Sequence, residues 1–179
     1  MKMEYLGPVE YMHDIWRLAA KVRRSGWKPD WLIGLWRGGA PVAVAMHEFF
    51  TVSGWAGIRH NSVKCFSYTG IGESESEVRF ECSDEVLASI KPGERVLVAD
   101  DVFDTGRSAA AAKAKISALG AEVRTASVYW KKAQNMTDAV PDYFVAEKSG
   151  DWLCFPHEID GLSPEQIAAK DPFLAEILK

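Results

Sequence analysis

The sequence predicts an α/β protein with a central, mainly parallel sheet flanked by helices and followed by a small hood. Apolar strand-like runs alternate with helix-prone segments from Trp31 to Trp130, which is the pattern of a parallel sheet with helices on both faces. Charged or glycine-rich turns follow several of these runs directly. Since ligands of such sheets collect at the carboxyl ends of the strands, these turns are the candidate functional site.

Length and composition favour one domain and exclude two classes of partner. A chain of 179 residues that is 47% hydrophobic can bury one sizeable core. The net charge of −4 argues against nucleic acid, and no apolar run reaches the length of a membrane span, so we expect a cytoplasmic protein. The three cysteines suggest reduced, structural thiols. We expect a single domain over residues 1–179, with a core at about 9–135, a hood at about 136–160 and a C-terminal helix at about 164–178.

The first candidate turn lies between a predicted strand and a predicted helix. After an amphipathic helix over residues 9–24, the apolar run Trp31–Trp36 predicts a strand, and a second helix is predicted to follow it up to about Phe50. The turn between them is Arg37-Gly38-Gly39. Two glycines let backbone amides approach an anion, and the arginine adds a positive fork, so a pyrophosphate would fit. A plain glycine-rich turn is the alternative.

The central stretch joins a buried strand to an acidic pair and a phosphate-sized loop. Val96–Ala99 is a short apolar run that ends in Asp100 and Asp101. The loop that follows, 104–108, precedes a helix-prone run, so it offers unpaired amides and the positive end of a helix dipole. A sugar phosphate would suit both the acid pair and the loop, because the acids accept hydrogen bonds from ribose hydroxyls while the loop binds the 5′-phosphate. The loop residues are Asp104, Thr105, Gly106, Arg107 and Ser108.

Two other interpretations of this stretch remain open from the residues alone. One is an ordinary strand-to-helix turn with solvated acids and a glycine for the bend. The other is an aspartate-phosphorylating or magnesium-binding α/β protein, since acids at strand ends serve there too. The phosphate loop that follows at once makes this second interpretation weaker.

The remaining predicted strands add a lysine to the same edge of the sheet. Val63–Tyr68 and Val78–Cys82 are predicted strands around a polar, acidic loop, and Val123–Trp130 is a strand that ends in Lys131 and Lys132. Neighbouring residues on a strand point to opposite faces, so only one of the two lysines can face the site. From Val140 to Glu158 the pattern becomes that of a small irregular hairpin, whose aromatic residues could simply seal the core.

The stretch from Asp100 to Ser108 resembles the phosphoribosyl pyrophosphate (PRPP) signature of the type I phosphoribosyltransferases. The resemblance implies that the acid pair binds ribose hydroxyls and that the loop binds the 5′-phosphate. It also implies that Asp104 is the candidate general base or the hydrogen-bond partner of the purine N7. It implies pyrophosphate binding by Arg37, Gly38 and Gly39, with a cis peptide whose candidate bond is Arg37–Gly38. A Ser-Tyr pair, Ser67 and Tyr68, would begin a loop that closes over the reacting centre.

The run 151–158 resembles the hood of the 6-oxopurine phosphoribosyltransferases, the xanthine-guanine and hypoxanthine-guanine type. That resemblance implies that Trp152 stacks on the purine, that Leu153 contacts it through the backbone, and that Glu158 lies near the base or the metal. An ammonium can only donate, so Lys131 would favour the O6 acceptor and reject adenine. Lys132 is the alternative for this role.

Together these resemblances predict transfer of the phosphoribosyl group from PRPP to N9 of guanine, hypoxanthine or xanthine, with release of pyrophosphate. The expected cofactor is Mg²⁺ chelated by substrate oxygens, with Asp100, Asp101 and Glu158 as indirect contacts. The expected assembly is a homodimer or homotetramer. A pyrimidine phosphoribosyltransferase and a non-enzymatic sensor of PRPP or nucleotides are the alternatives.

Overall fold

The computed structural model describes residues 3–68, 77–81, 84–149 and 152–178. The strands in these ranges are β1 (Met3–Tyr5), β2 (Trp31–Trp36), β3 (Arg59–Tyr68), β4 (Glu77–Glu81), β5 (Arg95–Phe103), β6 (Glu122–Trp130), β7 (Tyr143–Glu147) and β8 (Trp152–Cys154). The helices are α1 (Pro8–Arg24), α2 (Gly39–Val52), α3 (Asp84–Ser89), α4 (Arg107–Ser117), α5 (Pro164–Lys170) and α6 (Pro172–Ile177), with a 3₁₀ turn at Lys132–Gln134.

Six strands form the main sheet, in the order β4-β3-β2-β5-β6-β7. All neighbouring pairs are parallel except β3 and β4. The first five residues of β2 and the apolar part of β5 are buried, as expected of strands covered on both faces. The predicted α/β class with a mainly parallel sheet is therefore confirmed.

The chain divides into two compact units. The larger unit, Met12–Gly150, contains the main sheet. The smaller unit joins Met1–Tyr11 to Asp151–Lys179, and in it β1 pairs in parallel with β8, with Met3 opposite Trp152 and Tyr5 opposite Cys154. Within this unit the ring of Tyr11 meets that of Phe155 edge to face, with centroids 5.3 Å apart.

The predicted hairpin between Val140 and Glu158 is wrong. Strand β7 pairs in parallel with β6, with Ala126 opposite Tyr143, and so extends the main sheet. Strand β8 pairs instead with β1 at the other end of the sequence. The two strands therefore belong to different sheets, and no local turn signal could reveal their partners.

The predicted C-terminal helix is two helices. Asp171 ends α5 and caps α6, because its side chain accepts hydrogen bonds from the backbone N–H groups of Phe173 (2.9 Å) and Leu174 (3.3 Å). Pro172 has no N–H to continue α5 and suits the first position of α6. At the start of α5, Ser163 and Gln166 form a capping box.

Two findings concern the composition-based expectations. Among the described residues, no helix combines the length and the apolar character needed to cross a membrane. Cys65 and Cys154 are free thiols, as expected of reduced structural cysteines, while Cys82 lies outside the described residues.

Candidate active site

The turn after β2 holds the one cis peptide bond among the described residues, between Trp36 and Arg37. The expected position, Arg37–Gly38, is therefore wrong by one bond. Gly38 already has helical dihedral angles (φ −65°, ψ −30°) as the N-cap residue of α2. The turn accordingly begins at the last residue of β2, and Arg37, which is exposed, stands between the strand and the helix.

The two glycines of this turn are packed against β5. A Cβ atom on Gly38 would overlap the carboxylate of Asp101, and one on Gly39 would overlap the carbonyl oxygen of Ala99. Strands β2 and β5 are direct neighbours, with Gly34 opposite Ala99. The structure therefore brings the glycine turn and the acid pair together, and the absence of side chains at Gly38 and Gly39 is what allows the approach.

Asp100 and Asp101 lie within β5 rather than beyond it. The strand continues to Phe103 because it stays paired with β6, with Asp100 opposite Ser127. Oδ1 of Asp100 accepts from the backbone N–H of Asp101 at 3.0 Å, and Oδ1 of Asp101 accepts from that of Val102 at 2.7 Å. Burial first, and then the like charge of Asp101, raise the pKa of Asp100 well above its ordinary value.

The predicted phosphate loop is a bend around Gly106. Gly106 has φ +79° and is the N-cap residue of α4, which begins at Arg107. The backbone N–H of Arg107 faces Oγ1 of Thr105 at 3.5 Å. A pocket of about 80 Å³ adjoins this bend, and its volume suits a phosphate group better than a whole nucleotide. Its lining residues are Asp100, Val102, Phe103, Asp104, Thr105, Gly106, Ser108 and Ala109.

Lys131 extends from the end of β6 to Asp104. Its Nζ donates to Oδ2 of Asp104 at 3.1 Å, and its side chain is only 5% exposed. Its backbone N–H donates to the carbonyl oxygen of Phe103 at 2.9 Å, which holds the two chain segments together. Lys132 is exposed, and its Nζ lies 5.5 Å from the ring centroid of Trp130. Of the two lysines, Lys131 is the one that contacts a predicted site residue.

The other predicted site residues lie in β3 and in the smaller unit. Ser67 and Tyr68 end β3. Of the loop expected to close over the site, residues 69–79, the part 69–76 lies outside the described residues, and Glu77 begins β4. In the smaller unit, Trp152 is 46% exposed and Leu153 is buried. Glu158 is bound locally, because its Oε2 accepts from the backbone N–H of Phe155 at 3.1 Å.

The residues at the strand ends fit a magnesium ion carried by the substrate. Within the described ranges, no three histidine, cysteine, aspartate or glutamate side chains cluster as a ready-made metal site. Mg²⁺ commonly keeps several waters and binds through one or two carboxylates plus substrate phosphates. Asp100 and Asp101 are two carboxylates beside the glycine turn, as many as such a substrate-bound ion needs.

One contact to the loop was not predicted. The side chains of Asn135 and Thr137, after β6, lie against Gly106, so that a Cβ atom there would come within 2.7 Å of Asn135 Oδ1 and 2.5 Å of Thr137 Oγ1. The Asn-x-Thr spacing is a turn signal that the sequence did contain. Its partner, however, is about thirty residues away in sequence and could be found only by folding.

The fold is that of an α/β protein in which two turns with a glycine at the start of a helix follow neighbouring parallel strands. Residues 9–160 match the phosphoribosyl transferase domain family. The chain belongs to this family, and the predicted recognition is confirmed.

Individual relatives are purine enzymes by name. The chain is 34% identical over 122 residues to the adenine phosphoribosyltransferase of Gluconobacter oxydans (strain 621H), a match that spans 64% of this chain and 65% of that protein. Its fold is similar to that of the purine phosphoribosyltransferase from Pyrococcus horikoshii OT3, with a TM-score of 0.71 and 27% identity over 91% of this chain and 98% of that one. It also resembles the Helicobacter pylori xanthine-guanine-hypoxanthine phosphoribosyltransferase, with a TM-score of 0.66 and 20% identity over 88% of this chain and 95% of that one.

Proposed function

We propose that the protein transfers the 5-phosphoribosyl group of PRPP to N9 of a 6-oxopurine and releases pyrophosphate. Family membership supports the reaction class, and the purine relatives support a purine as the base without distinguishing a 6-oxopurine from adenine. The observation that carries the proposal is the Lys131–Asp104 pair at the phosphate-sized pocket, beside the acid pair of β5. In this proposal one planar base contacts both the hydrogen-bond donor and the acid.

In this proposal each strand end has one task. The bend 104–108 binds the 5′-phosphate through backbone amides and the hydroxyls of Thr105 and Ser108. Asp100 and Asp101 accept from the ribose hydroxyls and favour the positive charge that develops on the ring. Arg37 and the amides of Gly38 and Gly39 neutralise the leaving pyrophosphate. Magnesium, when bound with the substrate, supplies further charge neutralisation at the phosphate oxygens.

Asp104 is proposed to be the catalytic acid–base residue that faces the imidazole edge of the purine. Its hydrogen bond from Lys131 fixes the orientation of the carboxylate. The same ammonium has two further N–H groups, which can donate to O6 of the base. The amino group of adenine would instead present a donor to a donor, so a 6-oxopurine is preferred.

Adenine is the second candidate substrate, because the Gluconobacter relative is named for it. A substrate panel separates the two: PRPP and magnesium with guanine, hypoxanthine, xanthine, adenine, uracil or orotate, and pyrophosphate release as the measurement. The proposal predicts turnover of at least one 6-oxopurine and little with adenine. Preference for adenine would overturn the assignment of the base, preference for uracil or orotate would favour a pyrimidine enzyme, and binding of PRPP without release from any base would favour a sensor.

The role of Lys131 is tested by Lys131→Met with Lys132→Met as the matched control. Because Lys131 also holds Asp104, its loss should lower kcat and remove the preference for 6-oxo bases together. Lys132→Met should change neither, since its side chain is exposed. A preference over adenine that survives Lys131→Met would assign base reading to another residue.

Asp104→Asn should lower kcat far more than it weakens PRPP binding, by roughly the 10²–10⁴-fold that proton transfer contributes. The amide keeps the size of the side chain but is no proton acceptor at neutral pH. Steady-state kinetics together with calorimetric binding of PRPP measure the two effects separately. Equal losses in kcat and in affinity would remove Asp104 from the proton-transfer role.

A further inference from the structure

We propose that the turn Asn135–Ala139 is a positioning element for the phosphate loop, so that Asn135 and Thr137 set the affinity for the 5′-phosphate without touching it. This inference rests on the proposed function, in which the bend at Thr105–Ser108 binds that phosphate. The turn follows β6 and the short 3₁₀ segment Lys132–Gln134.

The turn is held in one conformation by its own side chains. Oδ1 of Asn135 accepts from the backbone N–H of Thr137 at 3.0 Å and from its hydroxyl at 2.9 Å. Nδ2 of Asn135 donates to the carbonyl oxygen of Ala139 at 2.7 Å, and the N–H of Ala139 faces Oγ1 of Thr137 at 3.3 Å. Both ends of the amide and the hydroxyl are therefore engaged in a turn of five residues.

The turn is hydrogen-bonded to the loop at one peptide group. The backbone N–H of Met136 donates to the carbonyl oxygen of Thr105 at 2.9 Å. Since the carbonyl and N–H of a trans peptide point in opposite directions, fixing the Thr105 carbonyl toward the turn directs the N–H of Gly106 away from it. All the pocket-lining residues belong to 100–109, so the pocket lies on a face of the loop that the turn does not cover.

The side chains of the turn also fix the conformation of Gly106. Asn135 Oδ1 and Thr137 Oγ1 occupy the space that a Cβ atom of Gly106 would need. The positive φ of Gly106, +79°, is a conformation that glycine adopts at no steric cost, and a glycine is otherwise the most mobile residue of a chain. Packing of the turn on this residue therefore restricts the part of the loop that must present its amides to the anion.

The turn is anchored to the same apolar cluster as the loop. Ala139 packs on the buried cluster of Phe103, Ala109 and Trp130. Phe103 precedes the loop and Ala109 lies in the first turn of α4, so the supports of the loop and of the turn are shared. We therefore expect a substitution in the turn to alter the position of the loop.

The test is Thr137→Val, which keeps the shape of the side chain and removes its hydroxyl, compared with Thr137→Ser, which restores the hydroxyl. Calorimetry measures the Kd for ribose 5-phosphate and, separately, for magnesium pyrophosphate. We expect Thr137→Val to weaken ribose 5-phosphate about fivefold to tenfold, as the loss of one or two hydrogen bonds allows, and to leave pyrophosphate within about twofold. Thr137→Ser should recover most of the affinity.

Thr51→Val is the matched control, because the hydroxyl of Thr51 donates to the carbonyl oxygen of His47 at 3.0 Å in α2. It should leave both dissociation constants unchanged. An unchanged affinity of Thr137→Val for ribose 5-phosphate would overturn the inference, and so would an equal loss for both ligands. Should Thr137→Val not fold, Asn135→Ala replaces it, because it removes the second side chain that holds the turn. The same two results in Asn135→Ala would overturn the inference.

Ser108→Ala separates this inference from the proposed function. If Ser108→Ala weakens the binding of ribose 5-phosphate and Thr137→Val does not, the positioning role of the turn is overturned and the proposed function is not. If Ser108→Ala binds ribose 5-phosphate as tightly as the unchanged protein, the loop is not the phosphate site, and both proposals lose their basis.

Discussion

At the scale of single residues, the candidate site depends on close contacts that only glycine, which has no side chain, allows. Gly38 is the clearest case, since the carboxylate of Asp101 fills the space where its Cβ atom would be. The sequence predicted that Arg37-Gly38-Gly39 and the acid pair would share one crevice. It could not predict that a glycine of one turn would pack directly on an acid of the neighbouring strand, because that contact depends on the β2–β5 register.

Gly38→Ala should therefore reduce the affinity for magnesium PRPP by about tenfold or more. The added methyl group must displace either the Asp101 carboxylate or the turn, and a displacement of even 1 Å is costly at a reacting centre. Calorimetric titration of PRPP measures this loss. Gly7→Ala is the control, because Gly7 has nothing within 4 Å of the added atom. Equal affinities of the two variants would show that the close approach is unimportant.

The second residue-scale prediction concerns the pH dependence of stability. The raised pKa of Asp100 means that the folded chain holds a proton that the unfolded chain releases near pH 3.9. Stability therefore falls as pH rises from that value through the raised pKa, and stays lower above it. In the absence of magnesium and PRPP, Asp100→Asn should raise Tm at pH 8 and much less at pH 4. Each kcal/mol corresponds to about 2–4 °C in a chain of this size.

Thermal unfolding of both proteins in EDTA at the two pH values is the measurement. Asp100→Asn should at the same time weaken PRPP binding, because an amide is a poorer acceptor for ribose hydroxyls than a carboxylate. A gain in Tm that is equal at pH 4 and pH 8, or a loss at pH 8, would contradict the buried-charge account.

At the scale of elements, strand type was easier to predict than strand partner. The apolar runs of β2 and β5 were recognisable because these strands are buried on both faces, whereas β6 was recognisable from its alternation and its β-forming residues. The extension of β5 through Asp100 and Asp101 was missed, since charged residues rarely continue a buried strand and only pairing with β6 maintains it. The division of the C-terminal segment was readable from the Asp171–Pro172 pair, a typical start of a new helix.

The amino ends of the strands carry a separate polar cluster. The carboxylate of Glu94 accepts from Trp31 Nε1 at 3.1 Å, from the backbone N–H of Lys91 at 2.8 Å and from Arg59 at 2.5 Å. The Arg59 guanidinium also lies 4.4 Å from the ring centroid of Trp31. The hydrogen bond from Lys91 and then that from Arg59 lower the pKa of Glu94. This cluster links the ends of β2, β3 and β5 that lie opposite the candidate site.

Glu94→Gln should lower stability by about 1 kcal/mol at pH 7, since the partly exposed carboxylate loses an ion pair and the strength of charged hydrogen bonds. The loss should disappear at low pH, because a lowered pKa contributes stability that is present above about pH 4.3 and is lost as pH falls through the folded value. Urea unfolding at pH 7 and pH 3 measures this. The KM for PRPP should not change, and a rise in KM would show that the cluster is coupled to the site.

At the scale of the whole molecule, strand order brings the site together. The turns after β2, β5 and β6 are far apart in sequence, but these strands are consecutive neighbours in the sheet. The alternation of strands and helices was enough to predict that their carboxyl ends share one edge. The support given by Asn135–Ala139 and the pairing of β8 with β1 were not predictable, because both join segments with no shared local pattern.

The central claim is that a ribose 5-phosphate group is bound between the bend at Gly106 and the acid pair of β5. Calorimetric titration of PRPP with magnesium into the protein tests it most directly, with Ser108→Ala and Asp101→Asn as the variants. We expect binding at one site per chain, and a loss of affinity of about tenfold or more in each variant. Absence of binding heat, or binding that neither variant weakens, would contradict the account.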